Sequence, residues 1–383
     1  MAQEEAMVPV VYQKEYDRYY FGSGHPFSPI RQHMVLDLLE AANVDLTIVQ
    51  PDVARVDDLL GVHSAGYIEQ VERASVGSSS VESGRYGIGT PDVPAFAEMD
   101  LAARILTGGT LRAARLIEEG ATLKALQLGG GLHHAHRSMA AGFCIYNDLA
   151  CAVRYFRDRG WRVAYLDIDV HHGDGVQELF YADRDVMTIS LHESGRYLYP
   201  GSGFVHELGE GDGRGFSLNV PLEPGTMDDI YLDTFERVMP HALAWFQPDV
   251  PIVQCGADAH FKDPLADLAL TTRGFDALFS RIIEIANDFS GGRALFTLGG
   301  GYDLDATVRV WALLILKLLD IEPPVEIPEA FLDDWSRKLM DVRLSRLLHD
   351  ESAKGGTIDQ KAVTSQNREV SRRLLEMAAS HWY

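Results

Sequence analysis

The stretch of the chain with the most chemistry-bearing side chains is residues 163–175, which read V-A-Y-L-D-I-D-V-H-H-G-D-G. The apolar residues 163–166 follow a polar turn and predict a buried strand. In an extended chain alternate side chains share a face, so we expect Asp167, Asp169 and His171 to point the same way. Two carboxylates and an imidazole on one face suit a divalent metal ion. A salt-bridged turn is the simpler alternative, but clustered buried charge is costly unless it is paired or metal-bound.

Other polar residues follow further predicted strands. His133 and His134 come shortly after one strand and three glycines, Asp258 follows a second strand, and Tyr302 follows a third strand and another three glycines. Taken singly, each has an ordinary explanation, such as a helix cap for Asp258 or a packing role for Tyr302. The carboxyl ends of parallel strands, however, meet at one edge of a sheet, and ligands bind there. We therefore expect these side chains to form one site.

The elements that must position these residues alternate between strand and helix. Apolar periodicity predicts helices over residues 31–42, 57–71, 99–119, 146–157, 227–246, 274–288 and 307–319. Strands are predicted over residues 123–128, 163–166, 185–191, 250–254 and 293–298. The alternation indicates an α/β fold with a doubly wound, mostly parallel sheet and helices on both faces. Residues 75–94, rich in serine and glycine, read as a long loop.

The domain organisation follows from where the motifs lie. Residues 1–322 carry all of them, and we predict that they form one catalytic domain, which the length of 383 residues allows. Residues 323–328 read as a linker. Residues 329–383 predict a charged helical extension with a polar break at residues 354–357, which either packs on the domain or serves oligomerisation.

Charge and cysteine content narrow the function classes. The formal net charge of −22 repels nucleic acid phosphates and attracts cationic ligands, although it also serves solubility. Three cysteines cannot build a disulfide framework and indicate a reducing compartment, so we expect a cytoplasmic protein. We see no secretory signal and no apolar run long enough to span a membrane. The oligomeric state is left open.

The residues together indicate metal-assisted hydrolysis of a carbonyl compound, most naturally an amide. Asp169, His171 and Asp258 are the economical ligand set, and they leave open positions for water and substrate. The remaining roles are proton transfer by His133 and His134, orientation of their rings by Asp167 and Asp174, and hydrogen-bond donation to an oxyanion by Tyr302.

Five motifs resemble those of the histone deacetylase family. They are G-G-G-L-H-H-A-H at 129–136, G-F-C-I-Y-N-D at 142–148, D-I-D-V-H-H-G-D-G at 167–175, Q-C-G-A-D at 254–258 and L-G-G-G-Y at 298–302. The resemblance extends over residues 12–319. H-P-F-S-P-I-R at 25–31 is more similar to the acetoin-utilisation and class I branch than to the acetylpolyamine amidohydrolases, which also belong to the family.

The resemblance implies an arginase/deacetylase fold and a zinc-dependent hydrolase that removes acetyl or short acyl groups from lysine side chains. It implies zinc on Asp169, His171 and Asp258, and iron(II) also suits a His-plus-carboxylate set. The implied catalytic roles are pairing of His133 with Asp167 and of His134 with Asp174, and polarisation of the acetyl carbonyl by Tyr302. Of the two histidines we favour His134 as the base.

Substrate and potassium sites are implied by the same resemblance. The substrate residues are Phe143 and Tyr199 as tunnel aromatics, Gly142 beside them, Leu265 as an apolar wall residue, Asp92 as a rim carboxylate and Arg31 at an internal cavity. One structural potassium ion is implied at Asp167, Asp169, His171, Ser190 and Leu191. A second is implied at Phe180, Asp183, Val186 and Phe216.

Three departures from the family pattern bear on the site, one of which is Asp303, where threonine or asparagine is frequent. The run at residues 299–301 has one glycine fewer than is usual, and Tyr199 adds a hydroxyl where phenylalanine is usual. Acetyl-lysine is favoured over an acetylpolyamine because Asp92 can accept backbone N–H groups of a peptide. An arginase-like binuclear hydrolase would need more aspartate ligands and leaves the histidine pair unexplained. A non-catalytic binding protein of the same fold is the remaining alternative, but it would be expected to lose His134, Asp258 or Tyr302.

Overall fold

Eight parallel strands form the sheet on which the protein is built. A computed structural model describes residues 8–77, 81–351 and 358–382 of the chain. The strands are β1 (Val10–Val11), β2 (Ile48–Val49), β3 (Lys124–Gln127), β4 (Val163–Asp167), β5 (Val186–Glu193), β6 (Ser217–Leu222), β7 (Val250–Gln254) and β8 (Ala294–Thr297). Every pairing between them is parallel, in the order β2-β1-β3-β8-β7-β4-β5-β6. The predicted parallel α/β architecture is confirmed.

Twelve helices within the described ranges connect and cover these strands. They are α1 (Ile30–Ala41), α2 (Val56–Leu60), α3 (Ala65–Ser75), α4 (Val81–Gly84), α5 (Met99–Glu118), α6 (Asp148–Arg157), α7 (Asp174–Phe180), α8 (Asp228–Phe246), α9 (Thr272–Ser290), α10 (Leu304–Leu318), α11 (Glu329–Lys338) and α12 (Gln360–Trp382). Two short 3₁₀ helices span Lys14–Arg18 and Gly211–Gly213.

The strands separate two apolar clusters, one on each face of the sheet. On β4, Ala164 and Leu166 belong to one cluster, which also contains residues of α1, α8, α9 and α10. Val163 and Tyr165 belong to the other, with residues of α3, α5 and α6. Successive side chains of a strand point to opposite faces, so a strand buried on both sides reads as a continuous apolar run. The sheet is therefore doubly covered, as predicted.

Three sequence expectations about elements were wrong. The single helix predicted over residues 57–71 is broken into α2 and α3, because α2 ends before Gly61 and the hydroxyl of Ser64 caps α3 by accepting from the Tyr67 N–H. Strands β1, β2 and β6 were not predicted. The loop predicted over residues 75–94 contains α4; residues 78–80 lie outside the described part.

The segment after residue 322 packs against the rest of the described chain. Leu374 and Ala378 of α12 and Trp335 of α11 belong to the same apolar cluster as α8 to α10. Helix α12 contacts β6, the strand at one edge of the sheet, and Asn367 Oδ1 accepts a hydrogen bond from the Glu223 N–H. A covered edge strand cannot pair with another chain. The boundary at residue 322 stays a prediction, and the break at residues 354–357 lies outside the described residues.

Candidate active site

The polar residues after β4 are brought together by turns. Strand β4 ends at Asp167, so the expectation that an extended strand carries Asp169 and His171 on the same face was wrong. Instead, Asp167 Oδ1 accepts from the Asp169 N–H at 3.1 Å, and Asp169 Oδ1 accepts from the His171 N–H at 3.0 Å. Short side chains that accept from the backbone two residues on are typical of turns. The aspartates thus shape the loop that presents them.

Asp169, His171 and Asp258 form a buried group with the donor atoms of a metal site. One ligand atom from each lies within 4.8 Å of the others. His171 Nδ1 is 3.1 Å from both Asp169 Oδ1 and Asp258 Oδ2. Carboxylate oxygens and an imidazole nitrogen are donors for zinc and for iron(II). This set therefore fits a single divalent ion.

The electrostatics of this group favour a cation. Burial, followed by the charge of Asp169, raises the pKa of Asp258 to about 8. Burial alone would lower the pKa of His171, but its hydrogen bonds to Asp169 and Asp258 and their charges raise it to about 10. Two carboxylates buried side by side are unfavourable unless a proton or a metal ion compensates them. The field that draws a proton to His171 would equally draw a metal ion.

The outer partners of these carboxylates were missed by the sequence analysis. Asp169 Oδ2 accepts from Gln254 Nε2 at 2.6 Å and from the Gly300 N–H at 2.9 Å. Asp258 Oδ1 accepts from the Val170 N–H at 2.9 Å. Such second-layer hydrogen bonds fix ligand orientation. Gln254 is the last residue of β7 and directly precedes the loop that carries Asp258, so its position in the sequence could have marked it as a site residue.

His133 and His134 face each other, each backed by one aspartate. His133 Nδ1 is 2.9 Å from Asp167 Oδ2, and His134 Nδ1 is 2.7 Å from Asp174 Oδ1. The two Nε2 atoms are 3.0 Å apart, so one carries hydrogen and the other accepts it. Both Nδ1 atoms are directed at carboxylates, which leaves Nε2 as the working nitrogen of each ring.

The two rings differ in protonation. Burial alone would lower the pKa of His133, but the charges of Asp167 and Asp169 raise it to about 9. Burial and then the charge of His133 lower the pKa of His134 to about 4. At neutral pH the pair therefore holds His133 as a cation and His134 as a neutral imidazole.

Three further polar residues hold these histidines and were not predicted. The hydroxyl of Tyr165 donates to Asp167 Oδ2 at 2.5 Å. His136 lies between Asp174 Oδ2, at 3.4 Å from its Nε2, and Glu178 Oε2, at 2.5 Å from its Nδ1. Tyr165 precedes Asp167 by two residues on β4. Because side chains two residues apart on a strand share a face, the sequence could have indicated this contact.

A narrow cavity of about 290 Å³ leads to these groups. Its lining residues are Asp92, His134, Gly142, Phe143, His171, Leu198, Tyr199, Leu265 and Tyr302. The ring of Phe143 meets that of Tyr302 edge-on at 5.9 Å, and Tyr199 meets His134 edge-on at 5.1 Å. The cavity thus gathers every predicted substrate residue except Arg31, together with Leu198, which was not predicted.

Asp92 and Arg31 make contacts that the sequence did not indicate. Asp92 Oδ2 accepts from the Gly142 N–H at 2.7 Å, so one of its oxygens is already engaged. Arg31 is buried behind Tyr302 and donates to the carbonyl oxygens of Gly299 and Gly301 at 3.1 and 2.8 Å. A role for Arg31 at an internal cavity stays a prediction.

The residues of the two implied potassium sites come from the end of β4 and the loop after it, from β5, from the end of α7 and the turn after it, and from the position directly before β6. Ser190 pairs in register with Asp167, and the Ser190 hydroxyl is 2.8 Å from His192 Nδ1. The carbonyl oxygens of Phe180 and Asp183 accept from the N–H groups of Asp183 and Val186, and that of Phe216 from Thr188. Both potassium sites stay predictions.

The parallel sheet with its polar edge defines an α/β protein with the arginase/deacetylase-like fold, and its buried Asp-His-Asp group could hold a metal ion. The family model "Histone deacetylase domain" matches residues 25–318. This chain belongs to the histone deacetylase family, as the sequence motifs predicted. Membership supports the function of a deacetylase-type hydrolase.

Curated relatives and solved structures agree with this assignment. The acetoin utilization protein AcuC of Bacillus subtilis (strain 168) is 43% identical over 333 residues, 86% of each chain. AcuC of Staphylococcus aureus (strain MSSA476) is 34% identical over 394 residues, which cover 100% of this chain and 99% of the relative. An HDAC homologue crystallised with SAHA superimposes with a TM-score of 0.85 at 29% identity, and an HDAC homologue from Aquifex aeolicus with 0.84 at 29%; each match covers 95% of this chain and 100% of the other.

None of the helices in the described part of the chain is both long and apolar enough to cross a bilayer.

Proposed function

We propose that this chain is a zinc-dependent hydrolase that removes acetyl, or another short acyl group, from the side chain of lysine. The observation that carries the proposal is the position of the buried Asp169–His171–Asp258 group, whose His171 borders a narrow cavity together with His134 and Tyr302. A linear acylated amine fits such a cavity with its carbonyl at the buried end.

The three ligands would hold a metal ion that activates water and polarises the acyl carbonyl. His134 is the better base of the histidine pair because it is neutral and lines the cavity, whereas His133 does not line it. With Nδ1 bound to Asp174, the Nε2 of His134 is the nitrogen that can take a proton from the attacking water, once the hydrogen bond from His133 opens, and return it to the leaving amine nitrogen. His133, charged beside Asp167, stabilises the negative charge that develops.

Tyr302 is assigned to the carbonyl oxygen of the substrate. Burial, followed by the charges of Asp258 and Asp169, raises the pKa of its phenol well above the ordinary value. A phenol that stays protonated is a hydrogen-bond donor throughout the assay range. It can therefore donate to an oxygen on which negative charge accumulates.

The substrate and metal are tested together. Full-length protein loaded separately with zinc and with iron(II) is assayed on an acetyl-lysine peptide, longer acyl-lysine peptides and acetylpolyamines. We expect zinc-loaded protein to prefer the acetyl-lysine peptide. A strong preference for acetylpolyamine would overturn the lysine assignment, higher activity with iron(II) would overturn the zinc assignment, and no release of any acyl group at full metal content would favour a binding protein. We retain the two potassium ions and a cytoplasmic location as part of the proposal.

A further inference from the structure

The turn that carries the tunnel aromatic Phe143 has an unusual backbone. Gly142 has φ +53° and Phe143 has φ +66°, both in the left-handed region. A residue with a bulky side chain seldom adopts this conformation, and it persists only where the surroundings hold it. Strained residues of this kind gather at functional sites, where neighbouring groups hold them in place.

Two side chains from distant segments hold the turn at its two sides. On one side, Asp92 Oδ2 accepts from the Gly142 N–H. On the other, the hydroxyl of Tyr19 donates to the carbonyl oxygen of Phe143 at 2.7 Å and accepts from the Ile145 N–H at 3.0 Å. A single buried hydroxyl therefore satisfies both a carbonyl and an amide of the same turn.

Tyr19 is itself fixed in place. It is 1% exposed, and its ring meets the rings of Phe21, Phe27 and Phe96 edge-on at 5.3, 5.5 and 6.0 Å. Burial raises the pKa of its hydroxyl well above the ordinary value, so the group remains a donor. The hydroxyl is thus presented to the turn by a rigid aromatic cluster.

We propose that Tyr19 is a positioning residue for the substrate tunnel, whose hydroxyl holds the turn at residues 142–143 in the left-handed conformation that places Phe143 in the tunnel wall. The identity of the substrate that enters the tunnel rests on the proposed function, whereas the role of Tyr19 in holding the turn does not. Tyr19 makes no hydrogen bond to the His-Asp pairs or to the Asp169–His171–Asp258 group in the described structure. Its loss is therefore expected to weaken binding and leave the chemical step intact.

Tyr19→Phe tests the hydroxyl, because it keeps the ring and its aromatic contacts. Tyr16→Phe is the matched control: Tyr16 is also 1% exposed and lies three residues earlier, and its hydroxyl donates to Gln127 Oε1 at 2.8 Å, away from the turn. Hydrogen–deuterium exchange of the metal-loaded, full-length proteins reports on the turn directly. We expect the Ile145 amide to exchange about tenfold faster in Tyr19→Phe than in wild type and in the control, since one buried hydrogen bond is lost.

Binding is measured with a linear alkyl hydroxamate as the probe and with an acetyl-lysine peptide as the substrate. We expect Kd and KM to rise about tenfold in Tyr19→Phe, with kcat within about twofold of wild type. Unchanged exchange at Ile145 would overturn the inference, and so would faster exchange without a change in Kd beyond that of the control. If wild type hydrolyses no acyl-lysine, the proposed function fails, while exchange and hydroxamate binding still decide the role of Tyr19.

Discussion

Replacing Tyr302 by phenylalanine is expected to separate catalysis from folding. The ring would remain packed, edge-on to Phe143 at 5.9 Å and under the Arg31 guanidinium at 5.7 Å. Its hydroxyl has no hydrogen-bond partner among the described residues, so its removal orphans no buried group there. The backbone N–H stays bound to Asp263 Oδ2 at 2.8 Å. The free energy of unfolding should therefore fall by less than the about 1–3 kcal/mol that an unpaired buried polar group costs.

The effect on turnover should be much larger. Loss of one donor to a developing oxyanion lowers kcat by about 10²–10³, or about 2.7–4 kcal/mol of transition-state stabilisation. The assay compares kcat and KM on an acetyl-lysine peptide, with melting temperature and metal content measured on the same preparations. We expect kcat alone to change by this factor.

Tyr16→Phe provides the opposite pattern as a control. Gln127 Oε1 loses the donor that Tyr16 supplies, so stability should fall by about 1 kcal/mol while kcat is retained. The reasoning about Tyr302 is refuted if Tyr302→Phe changes only KM, which would place Tyr302 in binding, or if kcat falls by less than about threefold at full metal content.

Four further outcomes are expected. Asp258→Asn should lower bound divalent metal well below one ion per chain and abolish activity; two catalytic ions in wild type, or full activity in the variant, would contradict this. Because the base works only when neutral, kcat/KM should rise as pH passes the pKa of His134, lowered to about 4, and should fall as pH passes that of His133, raised to about 9. His134→Ala should be nearly inactive, and wild-type rates in it would move the base elsewhere. Asp92→Asn keeps an oxygen for the Gly142 N–H and should impair the peptide alone, whereas Asp92→Ala should raise KM for both peptide and acetylpolyamine; equal effects of the two variants would refute this division.

The sheet could be predicted because most of its strands carry their signal locally. Apolar runs such as β4 and β7 end in polar clusters, so both the strand and the site edge can be recognised within a short window. The three missed strands lack that signal, and β1, like β2, has only two residues. β2 has two residues, and β6 contains a proline and an asparagine, which are depleted in strands, although α12 and β5 bury it.

For the site, likewise, some residues could be predicted from the sequence and others could not. Ligand and histidine candidates stand in contiguous motifs, and the structure brings them together. The groups that hold them come from far along the chain: Gln254 donates to Asp169 across 85 residues, and Asp263 accepts from Tyr302 across 39. Such pairings depend on how the sheet orders its strands: the sequence could mark Gln254 as a residue of the site edge, but it could not show that Gln254 bonds Asp169.

The glycine run before Tyr302 shows why one fewer glycine still suffices. A Cβ on Gly300 would lie 1.9 Å from Asp258 Oδ2, and the Gly300 N–H donates to Asp169 Oδ2 at 2.9 Å. Only a glycine fits where the turn passes this close to the carboxylates. The turn that presents Tyr302 is therefore hydrogen-bonded to Asp169 and packed against Asp258 with the three glycines that are present.

Arg31 completes that turn from the opposite side. A cation in the first turn of α1 is unfavourable with the helix dipole, and burial lowers the pKa of its guanidinium. These costs are offset because the guanidinium donates to two carbonyl oxygens of the glycine turn and lies over the rings of Phe27 and Trp311 at 4.6 and 5.0 Å. Its positive charge also faces the field of Asp258 and Asp263. Both of these bonds come from Nη1, while Nε donates to the Ser28 carbonyl oxygen at 3.1 Å. A lysine has no second nitrogen for Ser28 and no planar group to lie over the rings, which explains why an arginine stands in the first turn of this helix.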